Sequence, residues 1–475
     1  MIPDPELLFT PIRELAAQIR SRRLSPVKLV EVSLQRLQSY GPQLNAVVTL
    51  AGKQVLDQAR NAEQEIARGR YRGLLHGIPF GAKDLLATKG MPTTWGAAPY
   101  QNQSFDYDAT VIRKLADAGA ILVAKLSMVE LAGGMGYRNA DASFNGPGIN
   151  PWNPDYWSGG SSSGPGSAVG AGLVSFAIGS ETVGSILTPS SFCGITGLRP
   201  TYGRVSRHGA MALCWTLDKL GPMARSADDC AIVLAAIEGA DPEDPTTLPR
   251  PARQAPAARS RLRIAVPKGA ADFVLPEVAR NFNQSTEVLA SLADVAFNVV
   301  LPDFPYGPVA STIVDAEGAS AFYELIESGG LRQLRAEADR VGGYGGALVR
   351  AVDYLQAQRI RERMRKPFEE LFQRYDVIAA PSRGTVALPL GIDFNKAYPE
   401  LQSTPKDFVS PVGALISAGN LLGLPALALP NGFGRENLPT GLQLVSAQLK
   451  ESTLTALGSE YQKRTDFHRR RPPGF

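Results

Sequence analysis

Cysteine and histidine are both scarce, with three of each in 475 residues. The cysteines (Cys193, Cys214, Cys230) are odd in number in a long chain. That argues against a disulfide framework and suits a reducing compartment, so a cytoplasmic location is expected. The histidines (His76, His208, His468) lie far apart in no metal-ligand spacing. A three-histidine zinc site would have to use all of them, so no metal is expected. A Ser-His-Asp hydrolase needs only one, but each of the three has a poor setting for it. No H-E-x-x-H occurs. A hydrolase built on this chain therefore needs another base. An excess of one charge is also missing. Forty-nine Lys+Arg against 45 Asp+Glu leave +4, which makes no case for a nucleic-acid or membrane partner. No run reaches the roughly 18–20 apolar residues of a membrane helix. Met1 to Pro11, with Asp4 and Glu6, lacks the basic-then-apolar order of a secretory signal.

What is present is a globular composition, 44% hydrophobic and 20% charged, which excludes disorder throughout, collagen and coiled coil. At roughly 150 residues per domain two or three domains are the first expectation, although large α/β enzymes often fold as one. Ser25-Pro26 opens a helix, with serine as cap and proline where its missing N–H costs nothing. Val27, Val30, Leu34 and Leu37 fall on one face, and Gly41-Pro42 stops it. Asp108 is expected to cap a second helix that closes at Gly119, followed by a buried strand, Ala120 to Leu126. This rhythm predicts an α/β fold with helices covering a sheet. Further strands are expected at Arg263 to Pro267 and Val377 to Pro381, and a long basic helix within 342–375. The proline-rich stretch Asp241 to Arg261 reads as a surface excursion and a candidate domain boundary. His468 to Pro473 (HRRRPP) reads as a solvated basic tail.

Three segments carry chemistry. In HGIPFGAKDLL (His76 to Leu86), Lys83 sits in an apolar surround. Burial disfavours the ammonium and yields a neutral amine able to accept a proton. SGGSSSG (Ser158 to Gly164) looks like a linker, but its neighbourhood includes the apolar run Gly172 to Ile178, and a linker has no core to bury such a run. In GSETVGSILTP (Gly179 to Pro189), Ser185 follows Val183-Gly184 in a tight turn. Successive N–H groups in such a turn can hold an oxyanion. Serine needs a base, and a relay from Ser185 through a second serine to neutral Lys83 meets that need.

These segments resemble the amidase signature family, whose patterns read roughly GGSSSGSAAAVAAG, GTDTGGSIRxPA, GxKPTxGxVSRxG and SLDxxGPxAR. The chain has GGSSSGPGSAVGAG (Gly159 to Gly172), GSETVGSILTPS (Gly179 to Ser190), GLRPTYGRVSRHG (Gly197 to Gly209) and TLDKLGPMAR (Thr216 to Arg225). HGIPFGAKD near the start and NLLGLPALALPNGF, LPTGLQLV and HRRRPP at the end extend the match over nearly the whole chain. The resemblance implies one domain over 1–475, a large mixed twisted sheet covered by helices on both faces, with a catalytic core at about 70–230. It implies a catalytic lysine at Lys83, a bridging serine held through a cis peptide at Ser161, and a nucleophile at Ser185. The oxyanion amides then belong to Thr182, Val183, Gly184 and Ser185. Ser162 and Ser163 are expected to brace the Ser161 turn, though either is a rival for the bridge.

The implied activity is hydrolysis of a carbonyl C–N bond through a seryl acyl-enzyme, with no metal or organic cofactor. A free-standing amidase acting on small amides, anilides or carbamates (urethanes) is the first reading. The alternatives are the A subunit of a tRNA-dependent glutamine amidotransferase and a non-catalytic scaffold of the same fold. The partner is then a small-molecule amide or carbamate, with no nucleic acid and no membrane, and a homodimer is left open. Two departures bear on the pocket. Leu187 stands where the family has arginine, so Glu181 lacks its usual partner and the pocket is expected to be more apolar. The A subunits of tRNA-dependent amidotransferases read roughly KTNMDEFAMG where this chain has KLSMVELAGG (Lys125 to Gly134), and Gly133 for methionine suggests room beside the nucleophile. Gly133, Gly134 and Trp157 are the pocket candidates. Trp152 and Trp157 flank the serine loop and either line a pocket or simply pack. Cys193 reads as a core residue, His76 as a brace for the strand leading to Lys83, and His208 and His468 as structural or exposed.

Overall fold

The computed structural model describes residues 6–249, 261–405 and 408–475. Eleven strands of the described residues form one mixed sheet. They are β1 (Val47–Leu50), β2 (Pro79–Lys83), β3 (Ile121–Leu126), β4 (Phe176–Glu181), β5 (Thr196–Arg199), β6 (Lys219–Ala224), β7 (Arg263–Pro267), β8 (Asp294–Val299), β9 (Val377–Pro381), β10 (Ala426–Phe433) and β11 (Pro439–Ser446). The order across the sheet is β1-β3-β2-β4-β6-β5-β10-β11-β9-β7-β8. Two parallel groups, β3-β2-β4 at one side and β9-β7-β8 at the other, flank an antiparallel centre. The central strands are buried along nearly their whole length, as strands covered by helices on both faces must be.

The helix expected after Ser25 runs Pro26–Tyr40, and Ser25 Oγ accepts from the N–H groups of Val27 (3.1 Å) and Lys28 (3.4 Å). The second helix, Thr110–Asp117, is not capped by Asp108. That carboxylate instead accepts from Lys89 N–H at 2.8 Å, and a loop-to-loop bond replaces the expected cap. The long basic helix is Ala351–Arg374. No helix of the described residues is long and apolar enough to cross a membrane.

Two surface expectations fare differently. Residues 250–260 of the proline-rich excursion lie outside the described residues. Its first part is tied down: Asp241 accepts from Ser206 Oγ (2.6 Å) and Asp244 from Arg207 N–H (2.8 Å), and β6 before it and β7 after it belong to the same sheet. The basic tail is docked, not free in solvent. Arg225 Nη2 donates to the carbonyls of His468 (2.7 Å) and Arg470 (2.8 Å), and the Arg471 guanidinium covers the Phe9 ring at 4.6 Å.

Parallel pairing of β2 with β4 brings the ends of both strands to one edge, Ala82 facing Ile178. Just beyond that pair each chain reaches its polar residues: Lys83 on β2, Ser180 and Glu181 on β4. Phe80 and Phe176 stack at 5.2 Å beneath them and hold the two strands in register. Phe176→Ala is expected to lower stability by about 3–5 kcal/mol, measured by denaturant unfolding, because both the apolar area and the stacked partner are lost.

Candidate active site

Three segments converge at that edge. Lys83 is fully buried, and its Nζ donates to Ser161 Oγ at 2.7 Å and to Ser180 Oγ at 2.8 Å. Burial pulls its pKa down to about 7, although the carboxylates of Asp218 and Glu181 act in the opposite direction. The Gly160-Ser161 peptide is cis. The serine segment is packed, as its apolar neighbours required. Gly164 lies so close to other backbone that a Cβ there would stand 2.4 Å from Ser127 N and 2.5 Å from Ala46 O. Ser162 Oγ donates to Ser180 O (3.2 Å) and accepts from Ser180 N–H (3.3 Å), while Ser163 Oγ donates to Ser127 O (3.3 Å). Both therefore face backbone, and neither bonds Lys83.

Ser185 follows Gly184, whose φ of +87° is the left-handed conformation that glycine tolerates. The N–H groups of Val183, Gly184 and Ser185 donate to no described residue. Ser162 N–H donates to Ser185 O at 3.3 Å, which joins the serine segment to the turn. Among the described residues no hydrogen bond links the side-chain hydroxyls of Ser161 and Ser185. The Thr182 hydroxyl donates to Asp218 Oδ1 at 2.6 Å.

Glu181 does have a partner. Its Oε1 accepts from Arg199 Nη1 (2.8 Å) and Asn420 Nδ2 (2.9 Å), and its Oε2 from the N–H groups of Ile186 (2.8 Å) and Leu187 (3.0 Å). Burial alone would raise this carboxyl. The arginine, the amide and the backbone donor of Leu187 outweigh it and hold the pKa at about 2. Arg199 comes from the GLRPT segment and Asn420 from the helix Pro411–Leu421. Nothing in the sequence around either marks it for this role, because both meet Glu181 only through the fold.

The pocket expectations fare less well. Leu187 is fully buried and packs in the core. Gly133 has φ +85°, and a Cβ there would meet the Tyr137 ring at 2.4 Å. The room expected beside it is taken by that ring. Gly134 packs against Leu213, where a Cβ would stand 2.1 Å from Cδ1, and also borders a cavity of about 730 Å³ that none of Lys83, Ser161 and Ser185 lines. Trp157 does approach the site. Its ring lies against Gly160, stacks on Phe394 at 4.7 Å and meets Tyr137 edge-on at 6.1 Å. Trp152 packs on Phe433 and donates from Nε1 to Cys193 O at 2.9 Å.

Two groups escaped the sequence reading. Ser180 is the second hydroxyl on Lys83 Nζ; its place two residues after Ile178 on a strand was the available signal. Arg383, two residues beyond β9, reaches over the turn, its Nη1 3.9 Å from the point where a Cβ on Gly184 would stand. Elsewhere, His76 lies against Glu65 (3.2 Å), and burial lowers its pKa. His208 stands 3.7 Å from Glu243. Cys193 donates to Ser158 O, and burial raises its pKa.

A family model described as Amidase matches residues 28–455. The chain is 35% identical over 494 residues to the A subunit of the glutamyl-tRNA(Gln) amidotransferase of Gloeothece citriformis, with 97% of this chain and 99% of that protein covered. Among solved structures it is similar to the native peptide amidase of Stenotrophomonas maltophilia, with 29% identity, a TM-score of 0.83 and 98% of each chain covered. It is also similar to a chain of a vestigial protein complex that reveals the evolutionary origins of an s-triazine catabolic enzyme. There the identity is 26% and the TM-score 0.86, with 96% of this chain and 98% of that chain covered.

Arg199→Met leaves the Glu181 carboxylate buried without its cation and is expected to lower stability by about 3–5 kcal/mol in denaturant unfolding. The pH dependence has a definite sign. Held at about 2 against an ordinary 4.5, Glu181 contributes stability above pH 4.5 that is lost as pH falls through about 2. In Arg199→Met that loss begins at higher pH.

Proposed function

Because the chain belongs to the amidase signature family, we propose that it is a hydrolase of carbonyl C–N bonds that works through an acyl-enzyme on Ser185. The observation that carries this reading is Lys83, fully buried, with its Nζ 2.7 Å from Ser161 Oγ and a pKa of about 7. At that separation a neutral amine accepts the Ser161 proton as Ser161 accepts that of Ser185. A small rotation of the Ser185 side chain completes the relay, since catalytic hydrogen bonds commonly tighten only with substrate bound. Ser185 Oγ attacks the carbonyl, and the oxyanion takes up the N–H groups of Val183, Gly184 and Ser185, which have no acceptor among the described residues. Ser161 returns its proton to the departing nitrogen as the C–N bond breaks. Water then repeats the sequence, forming the acid and freeing Ser185. Ser180, the second hydroxyl on Nζ, holds the amine in place during both halves.

Two assignments of this chemistry differ in substrate. The first is a free-standing amidase on small amides, anilides or carbamates. The second is the A subunit of a tRNA-dependent amidotransferase, which releases ammonia from glutamine within a complex and transfers it. The identity of 35% over nearly the full length of one such protein favours the second. Loss of the expected room at Gly133 to Tyr137 also removes part of the argument for a broad apolar pocket. Competition between glutamine and an acetanilide or aryl carbamate in the isolated chain separates them. Preference for the anilide or carbamate supports the first, and preference for glutamine the second.

Ser185→Ala is expected to abolish both turnover and labelling by a fluorophosphonate. Labelling that persisted and mapped to Ser161 or Ser163 would overturn the assignment of the nucleophile.

The pH profile follows from Lys83. Its amine must be neutral to act as base, so kcat/KM is expected to rise through about pH 7 and remain high on the alkaline side. Lys83→Ala is expected to cost several orders of magnitude and to spare ester cleavage relative to amide cleavage, because an ester leaving group depends less on the returned proton. An equal loss on both substrates contradicts the lysine's part in protonating the leaving group.

A further inference from the structure

Arg383 stands over the nucleophile turn with nothing to bind. It is half-buried, and it makes no hydrogen bond or ion pair with any described residue. Glu181 is a carboxylate near enough for its charge to act on Arg383, but both oxygens of Glu181 are already filled by Arg199, Asn420 and two N–H groups. Its neighbours at the turn are the Ile416 side chain, whose Cγ2 lies 3.5 Å from the Cβ point on Gly184, and two hydroxyls. Thr188 Oγ1 lies 3.3 Å from the same point on Gly184 that Arg383 Nη1 approaches at 3.9 Å. Tyr137 feels the charge of Arg383, and its hydroxyl bonds no described residue. A guanidinium taken partly out of water without an acceptor is unfavourable, and the site leaves the acceptor's place to be filled by substrate.

We propose that Arg383, with the hydroxyls of Tyr137 and Thr188, is the binding subsite for a carboxylate on the substrate, so that the preferred substrates are anionic amides with the carboxylate within a few bonds of the scissile carbonyl. This rests on the hydrolase reading above and narrows the substrate class that its two assignments leave open. A guanidinium presents paired N–H donors that match the two oxygens of a carboxylate. With that end fixed over Gly184, the carbonyl is delivered to the free N–H groups beside Ser185. The carboxylate can belong to the acyl portion, as in succinamate, or to the leaving group, as in N-acetylglycine; both present the same chemistry to Arg383. The reaction itself is unchanged: the C–N bond is replaced by a C–O bond from water, and the nitrogen leaves with a proton.

The test compares each anionic amide with the neutral partner that carries methyl in place of the carboxylate: succinamate with butyramide, and N-acetylglycine with N-ethylacetamide. The wild type is expected to prefer at least one anionic member, by about 10- to 100-fold in kcat/KM, the worth of a charge-assisted bond. Arg383→Gln is expected to remove that preference mainly through KM, and Arg383→Lys to restore part of it. Which pair shows the preference tells whether the carboxylate lies on the acyl or the leaving side. Equal losses on charged and neutral amides would mean that Arg383 serves the oxyanion or the fold, and would overturn the inference. So would a wild type that prefers the neutral member of both pairs. Should Arg383→Gln fail to fold, competitive inhibition of the wild type by succinate but not by succinamide decides the matter. Fluorophosphonate labelling of Ser185, run in parallel, reports on the hydrolase reading separately. Labelling with no anionic preference defeats this inference alone, whereas absence of both labelling and turnover defeats the reading beneath it.

Discussion

The buried carboxylate of Glu181 is the constraint on which the site is built. It lies at the end of β4, where a charge without partners would be prohibitive. Four donors from three parts of the chain meet it: two N–H groups just beyond the turn, Arg199 at the end of β5, and Asn420 in a helix more than two hundred residues away. The two N–H groups fold the chain between Glu181 and Leu187 back on itself, which forces the turn at Gly184 and leaves the intervening N–H groups aimed outward. Those groups have no acceptor among the described residues and are free for the proposed oxyanion. The fold thus satisfies one anion permanently beside the N–H groups proposed to bind another transiently.

The same region keeps a lysine fully out of water. Lys83 stands at the end of β2 between two hydroxyls, which can both donate and accept and so serve the amine in either protonation state. Asp218 and Glu181 favour its charged form, yet burial prevails. Both carboxylates are occupied, Glu181 as described and Asp218 by Thr182 Oγ1 and the N–H groups of Leu213 and Cys214, so neither forms an ion pair with Lys83. A direct ion pair would have fixed the proton on the amine. Placing the acids near but engaged elsewhere leaves the lysine poised near neutrality, as the proposed role of base requires.

What the sequence made legible was local. The helix after Ser25, the strands at Arg263 and Val377, and the burial of the serine segment all follow from spacing and composition within a dozen residues. The meeting of Lys83 with Ser161 was expected because their segments resemble a family pattern, and the apolar flanks of Lys83 pointed to its burial. What was not legible depends on contacts across the chain. Asp108 had the right type and place for a helix cap and found a loop N–H instead. Leu187 suggested an apolar pocket because its side chain replaces a charge, but it faces the core, and the charge it lacks is supplied by Arg199 from another strand. Gly133 suggested space that the Tyr137 ring fills from four residues on. In each case the residue type was read correctly and its direction was not, because direction is fixed by partners that no local pattern names.

That division runs through the molecule in a way that bears on relatives. The groups proposed to do the chemistry lie between Lys83 and Ser185, on β2, on β4 and in the loops beside them. The groups that wall the site include Tyr137 from a loop ahead of the serine segment and three from the C-terminal half: Arg383 after β9, Phe394 in the following loop, and Ile416 in the helix that carries Asn420. The first set is constrained by the hydrogen bonds it makes to itself, so changing one member disturbs the others. The second set touches the first mainly through van der Waals contact and open polar ends, so its members can change singly without loss of the turn or the buried lysine. Proteins similar to this chain along nearly their whole length can therefore be as different as a peptide amidase and a component of a glutamyl-tRNA(Gln) amidotransferase. Identity averaged over the chain therefore weights one proposed substrate over another without reaching the contacts that select it, and those lie with the few side chains that face the turn with their polar ends unmet.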